Sequence, residues 1–163
     1  MASFRDPAGS VACVGSQIFR CVSGPAFGTL EEFLASTPAQ SFAASGKLVS
    51  TSTGVAEGDG LRAVRACRAL EFGPDVQIVE HERVWFPSYP YEWPPEMLFA
   101  AGELTLEIAQ ASLKHEFGLK DATPYNVLFR GPKPVFVDVL SFEKRDPGDP
   151  AWLPYAQFVR TFV

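Results

Sequence analysis

Apolar and polar positions alternate along residues 11–23, VACVGSQIFRCVS, on both sides of Gly15 and Ser16. That period of two, broken by a Gly-Ser pair, predicts a β-hairpin whose return strand carries Ile18, Arg20 and Val22. The spacing then becomes helical. Residues 29–45 open with Thr29 as an N-cap candidate and Glu32 three positions on, a capping-box pattern, and Pro38 divides the segment into two short helices. KLVSTSTGVA reads as a strand leaving at Gly46, and residues 60–71 as a short basic helix with Arg62, Arg65 and Arg68 on one face.

VQIVEHERVWFP, residues 76–87, is rich in β-branched and aromatic side chains and predicts one or two strands, with His81 exposed on them. In SYPYEWPP the prolines at 90, 94 and 95 exclude regular structure and mark a stiff connector, which Tyr89, Tyr91 and Trp93 are expected to pack onto the core. The longest helix is expected from Pro95 to Phe117. Leu98, Ala101, Leu104 or Thr105, Ile108, and Ala111 or Ser112 recur on one face, and Gly118 ends it. A loop over 119–125 leads to a second hairpin, NVLFR and VFVDV, around GPKP. The last segment, DPAWLPYAQFVRTFV, begins a helix that stops on Phe162 and Val163 without a cap. The expectation is a piece of a longer chain, with Phe158 and Phe162 left without cover. The element order predicts an α+β fold.

Composition narrows the function. The 163 residues make one modest domain with a single core, and 47% hydrophobic content excludes wholesale disorder. A net charge of -5 with no dense Lys/Arg block argues against nucleic acid or an anionic membrane as partner. The 3 cysteines, Cys13, Cys21 and Cys67, form no CxxC pair, and with 2 histidines no zinc site is expected. Free thiols, no secretory leader in MASFRDPAGS and no apolar run near the roughly 20 residues of a membrane helix together predict a cytoplasmic protein. GVAEGDGLRAV, residues 54–64, lacks the preceding apolar strand of a dinucleotide-type turn and reads as a loop.

Chemistry concentrates in LKDATPYNVLFRGPKPVFVDVLSFE, residues 119–143. Asp121 lies in the loop after the long helix, Asn126 at the mouth of one hairpin strand and Asp138 near the end of the other. A carboxylate beside an acceptor hydroxyl, plus oxygen ligands for a hard cation, is what phosphoryl transfer requires. The plainer reading is that these side chains cap local turns.

This segment resembles the catalytic loop and metal-binding segment of the protein kinase and aminoglycoside phosphotransferase superfamily. The resemblance implies that Asp121 stands as the base and that Asn126 and Asp138 stand as metal ligands, with PSYPYEWPP as the hinge between lobes. The sequence departs from that pattern in four places. Leu119 replaces the usual histidine, Val139 replaces the glycine after the metal aspartate, no G-x-G-x-x-G loop is present, and Arg20 or Lys47 are the only stand-ins for a strand lysine. ATP and magnesium are therefore expected to bind weakly or not at all.

A broader resemblance, carried also by FRDPAGSV, EHERVWFPSYPYEWPPEML and DPAWLPYAQFVRTFV, is to the N-terminal region of certain large bacterial class I S-adenosylmethionine-dependent methyltransferases. It spans residues 4–163 with gaps around 26–75. It implies a protein-kinase-like module with a degenerate small N-lobe over 1–90 and the beginning of a helical C-lobe over 91–163. The implied role is recognition of a small-molecule or protein substrate beside a downstream methyltransferase domain, where S-adenosylmethionine would bind. The alternatives are a small-molecule phosphotransferase using ATP and magnesium, and a structural pseudokinase.

Overall fold

The computed structural model describes residues 9–55, 58, 61, 62, 64, 65 and 75–163, and the fold is mixed α+β. The chain divides into two compact units, Met1–Glu31 with Ser50–Arg83, and Glu32–Val49 with Val84–Val163. The division differs from a cut near residue 90, because residues 32–49 associate with the second half of the sequence. Leu48 forms a parallel bridge with Phe136, and the Phe33 ring stacks on Phe142 with centroids 3.6 Å apart.

The first unit is built on an antiparallel four-stranded sheet, order β1-β2-β4-β3, from β1 (Gly9–Val14), β2 (Gln17–Val22), β3 (Thr51–Ser52) and β4 (Gln77–His81). The predicted hairpin is β1–β2, paired from Gly9↔Val22 to Val14↔Gln17. Gly15 takes φ 59° at its turn, a conformation glycine adopts without steric cost. Phe19, Cys21, Leu61, Val76 and Ile78 form the buried cluster. His81 is not an exposed strand histidine. It is buried, with Nδ1 2.9 Å from the Thr51 hydroxyl. Only β4 forms within 76–87, and the chain then bends at Phe86, which holds φ 58°. Positions 61, 62, 64 and 65 are helical. The remainder of the expected basic helix, Arg68 and Cys67 included, and parts of the 54–64 loop lie outside the described residues.

Helix α1 (Gly24–Ala35) starts five residues before the expected Thr29 cap. Pro25 suits a first helical turn, and the Ser23 carbonyl accepts the amides of Ala26 and Phe27 at 3.0 Å, so the helix begins there. Pro38 does divide the segment. Ser36 caps α2 (Thr37–Ala44), its hydroxyl accepting from the Ala39 amide at 3.5 Å, with the proline in the first turn. The strand expected from Gly46 onward is only Thr51–Ser52, because residues 47–49 run beside the second hairpin instead. There the Val49 amide donates to the Phe136 carbonyl at 2.9 Å and the Phe136 amide to the Lys47 carbonyl at 2.8 Å.

In the second unit the proline connector is more ordered than predicted. Pro90–Glu92 forms a 3-10 turn, closed by the Glu92 carboxylate accepting the Tyr89 amide at 2.7 Å. Trp93 packs edge-on against Phe129 and donates its indole N–H to the Ser88 hydroxyl at 3.0 Å. Tyr91, by contrast, stays 76% exposed. Helix α3 (Pro95–Leu113) buries Ala101, Leu104, Thr105, Ile108 and Ser112, as its spacing predicts. It ends four residues early, since Glu116 turns to φ 63° and Phe117–Leu119 becomes strand β5. Gly118 is therefore a strand residue. A Cβ there would lie 2.6 Å from Arg145 Cδ, which crosses it.

Strand β5 pairs antiparallel with β8 (Phe142–Lys144), and β6 (Val127–Arg130) pairs with β7 (Lys133–Phe136). Helix α4 (Tyr155–Phe162) is not left uncovered. Phe158 is buried, and Phe162 lies 3.3 Å from the position a Gly102 Cβ would occupy, so a glycine on α3 receives the ring. No described helix is long and apolar enough to cross a membrane.

Candidate functional site

The loop from Leu119 to Asn126 is positioned by three separate segments. Pairing of Leu119 with Phe142 puts its start beside β8, and the Lys120 amide donates to the Ser141 carbonyl at 2.8 Å. From the C-terminal segment, the Trp152 indole N–H donates to the Leu119 carbonyl at 3.3 Å. Gln157 on α4 accepts the Ala122 amide at 3.1 Å. Pro124–Asn126 then closes as a 3-10 turn that delivers Asn126 to the head of β6.

Asp121, half-buried, accepts the Thr123 amide through Oδ1 at 3.0 Å. This is the local turn cap that such residues form in loops. Asn126 is buried at 7% exposure. Its Nδ2 donates to the Asp121 carbonyl at 3.3 Å and to the Ser141 hydroxyl at 3.2 Å. The Asp121 carbonyl can only accept, so the orientation of the carboxamide is determined: the nitrogen faces loop and serine. Asp138 sits two residues beyond β7, at the head of a 3-10 turn over Val139–Ser141. Its Oδ2 accepts the Ser141 hydroxyl at 2.5 Å. Asn126 and Asp138 flank the open end of the same hairpin, where the Val137 amide donates to the Asn126 carbonyl at 2.8 Å.

Asn126 and Asp138 thus meet through Ser141, and Asp121 joins them by its backbone carbonyl while its carboxylate caps the local turn. The residue that joins them, Ser141, is not singled out by the sequence pattern, although a serine three places after an aspartate is a common local turn partner. Gln157 and Trp152 leave no sequence signal at all, because they arrive from a separate helix and its lead-in.

The resemblance calls for a magnesium ion held by Asn126 and Asp138. On the edge that the two side chains share, the group between them is the Ser141 hydroxyl, and the carboxamide turns N–H toward it, so a cation does not fit there. Among the described residues no three His, Cys, Asp or Glu side chains converge as a metal site. What the arrangement offers chemically is a carboxamide oxygen that accepts no hydrogen bond among the described residues, with the carboxylates of Asp121 in the loop and Asp138 beyond the hairpin.

No protein-family model matches the chain, and no solved structure matches it. A similar curated protein is the nodulation protein NoeA of Rhizobium meliloti (strain 1021), 31% identical over 161 residues that cover 99% of this chain. The chain spans 31% of that protein's length.

Proposed function

We propose that this chain is a kinase-like recognition module of a longer S-adenosylmethionine-dependent methyltransferase polypeptide. The observation that carries it is the loop–hairpin cluster of Asp121, Asn126 and Asp138, whose members are tied to one another by protein hydrogen bonds. Such a cluster presents a preformed polar surface for a substrate or partner. The longer relative supports the modular part of this reading, since nearly all of this chain aligns to under a third of it. Methyl transfer itself is assigned to a downstream domain, because among the described residues no segment supplies the strand, glycine turn and helix that hold S-adenosylmethionine.

The test is calorimetry with S-adenosylmethionine on two proteins: the 163-residue chain, and the full reading frame that contains it. The expected result is binding by the full polypeptide, retained after residues 1–163 are deleted, and none by the chain alone. Saturable binding by the chain alone overturns the assignment.

A second reading, a small-molecule phosphotransferase using ATP and magnesium, would require Asn126 to turn its carboxamide oxygen, and Ser141 to leave the edge of Asp138, when nucleotide binds. Micromolar ATP binding that disappears in Asp138→Asn would establish it in place of the first.

A further inference from the structure

Ser141 is the residue of the cluster that touches both Asn126 and Asp138. It is 1% exposed. Its amide donates to the Asp138 carbonyl at 3.1 Å and its carbonyl accepts from Lys120 at 2.8 Å. Its hydroxyl accepts from Asn126 at 3.2 Å and donates to Asp138 at 2.5 Å. The direction of this relay is forced. The carboxamide nitrogen only donates and an ionised carboxylate only accepts, so the single hydroxyl proton must lie toward Asp138. The 2.5 Å separation is at the short, charge-assisted end of the O–H···O range.

We propose that Ser141 is the positioning residue of this site, its hydroxyl standing where the kinase-like pattern calls for a cation, so that the cluster keeps its geometry without divalent metal. This rests on the kinase-like reading of residues 119–143. A metal ion would bridge an amide oxygen and a carboxylate by neutralising negative charge. Here the same two side chains are bridged by a donor to the carboxylate and an acceptor from the amide nitrogen. That orients Asn126 the opposite way around and quenches the Asp138 edge a metal would use. Any ligand of the site then meets the outward groups, the Asn126 carboxamide oxygen and the Asp121 carboxylate, and is recognised as a hydrogen-bond donor, not as a metal-bound phosphate.

The decisive experiment uses the 163-residue chain with Mn²⁺ and Mg²⁺ as probes. Electron paramagnetic resonance titration should show no saturable Mn²⁺ site, and the thermal midpoint in millimolar MgCl₂ should match that in EDTA within about 1 °C. Ser141→Ala should lower the midpoint by roughly 3–8 °C, while Ser141→Thr, which keeps the hydroxyl, recovers most of it. In a cycle of Ser141→Ala with Asp138→Asn the losses should be clearly non-additive. A saturable Mn²⁺ site in the unaltered chain that is lost in Asp138→Asn overturns the proposal, and so do additive losses. The metal titration needs no variant, so it decides even if Ser141→Ala does not fold. Failure here leaves the S-adenosylmethionine measurement untouched, so the two readings fail separately.

Discussion

The two hairpins of this protein are built by the same local rules and end in different chemistry. In β1–β2 and in β6–β7 alike, a glycine at φ 59° opens a two-residue turn, Gly15–Ser16 in one and Gly131–Pro132 in the other. Each hairpin buries a phenylalanine, Phe19 at 3% and Phe136 at 0% exposure. They differ at the open end. Beyond β2 the chain enters a helix, and the Ser23 backbone carbonyl serves the first helical amides. At the open end of β6–β7 two polar side chains, Asn126 and Asp138, face a third segment that bonds both. A hairpin is thus a neutral scaffold. What stands at its open end makes it a site.

The largest effect tests whether the two scaffolds are energetically equivalent. Phe19→Ala and Phe136→Ala should each destabilise by about 3–5 kcal/mol in urea unfolding, the range for emptying a core phenylalanine. A loss under about 1.5 kcal/mol for either would break the equivalence.

The second prediction addresses the open ends directly. Asn126→Ala leaves the buried Ser141 hydroxyl and the Asp121 carbonyl short of a donor and should destabilise by about 1–3 kcal/mol. Ser23→Ala, where only the backbone works, should stay within about 0.5 kcal/mol of the parent. Similar losses at both positions, measured by denaturant titration, would show that the two open ends do not differ in kind.

The turns should behave alike. Among the described residues, no atom lies within 4 Å of where a Cβ would stand on Gly15 or Gly131, so alanine meets no clash at either. What remains is the left-handed backbone, worth roughly 1–2 kcal/mol per residue. Gly15→Ala and Gly131→Ala should give matching shifts in thermal midpoint, and a clear mismatch would set the two turns apart.

The smallest effect separates backbone from side chain beside β7. The Lys47 carbonyl accepts the Phe136 amide, whereas its ammonium pairs with Glu107 at 2.6 Å with both side chains nearly half exposed. Lys47→Met should therefore change stability by less than about 1 kcal/mol, and the difference should fade as salt rises.

Legibility in the sequence follows the range of each interaction. Both hairpins, the division near Pro38 and the buried face of α3 are readable because neighbours within a few residues specify them. The same locality explains the displaced start of α1, where the Thr29–Glu32 pair imitates a cap and Pro25 in the first turn sets the true beginning. Gly118 imitates a helix stop because its reason, the Arg145 side chain across it, lies in another segment. Of the site, Asp121, Asn126 and Asp138 stand out as polar residues on an apolar segment, and Ser141 does not.

Alternation and helical period, read along the chain alone, suffice for the α+β element order and for placing three polar groups around one hairpin. Folding was needed to lay residues 47–49 along β7, to stack Phe33 on Phe142, and to bring Gln157 and Trp152 onto the loop. Folding also set a serine hydroxyl between Asn126 and Asp138. One physical reason covers all of these. Periodicity records which face of an element is buried, whereas a hydrogen bond or ring contact between distant segments leaves no period in either partner.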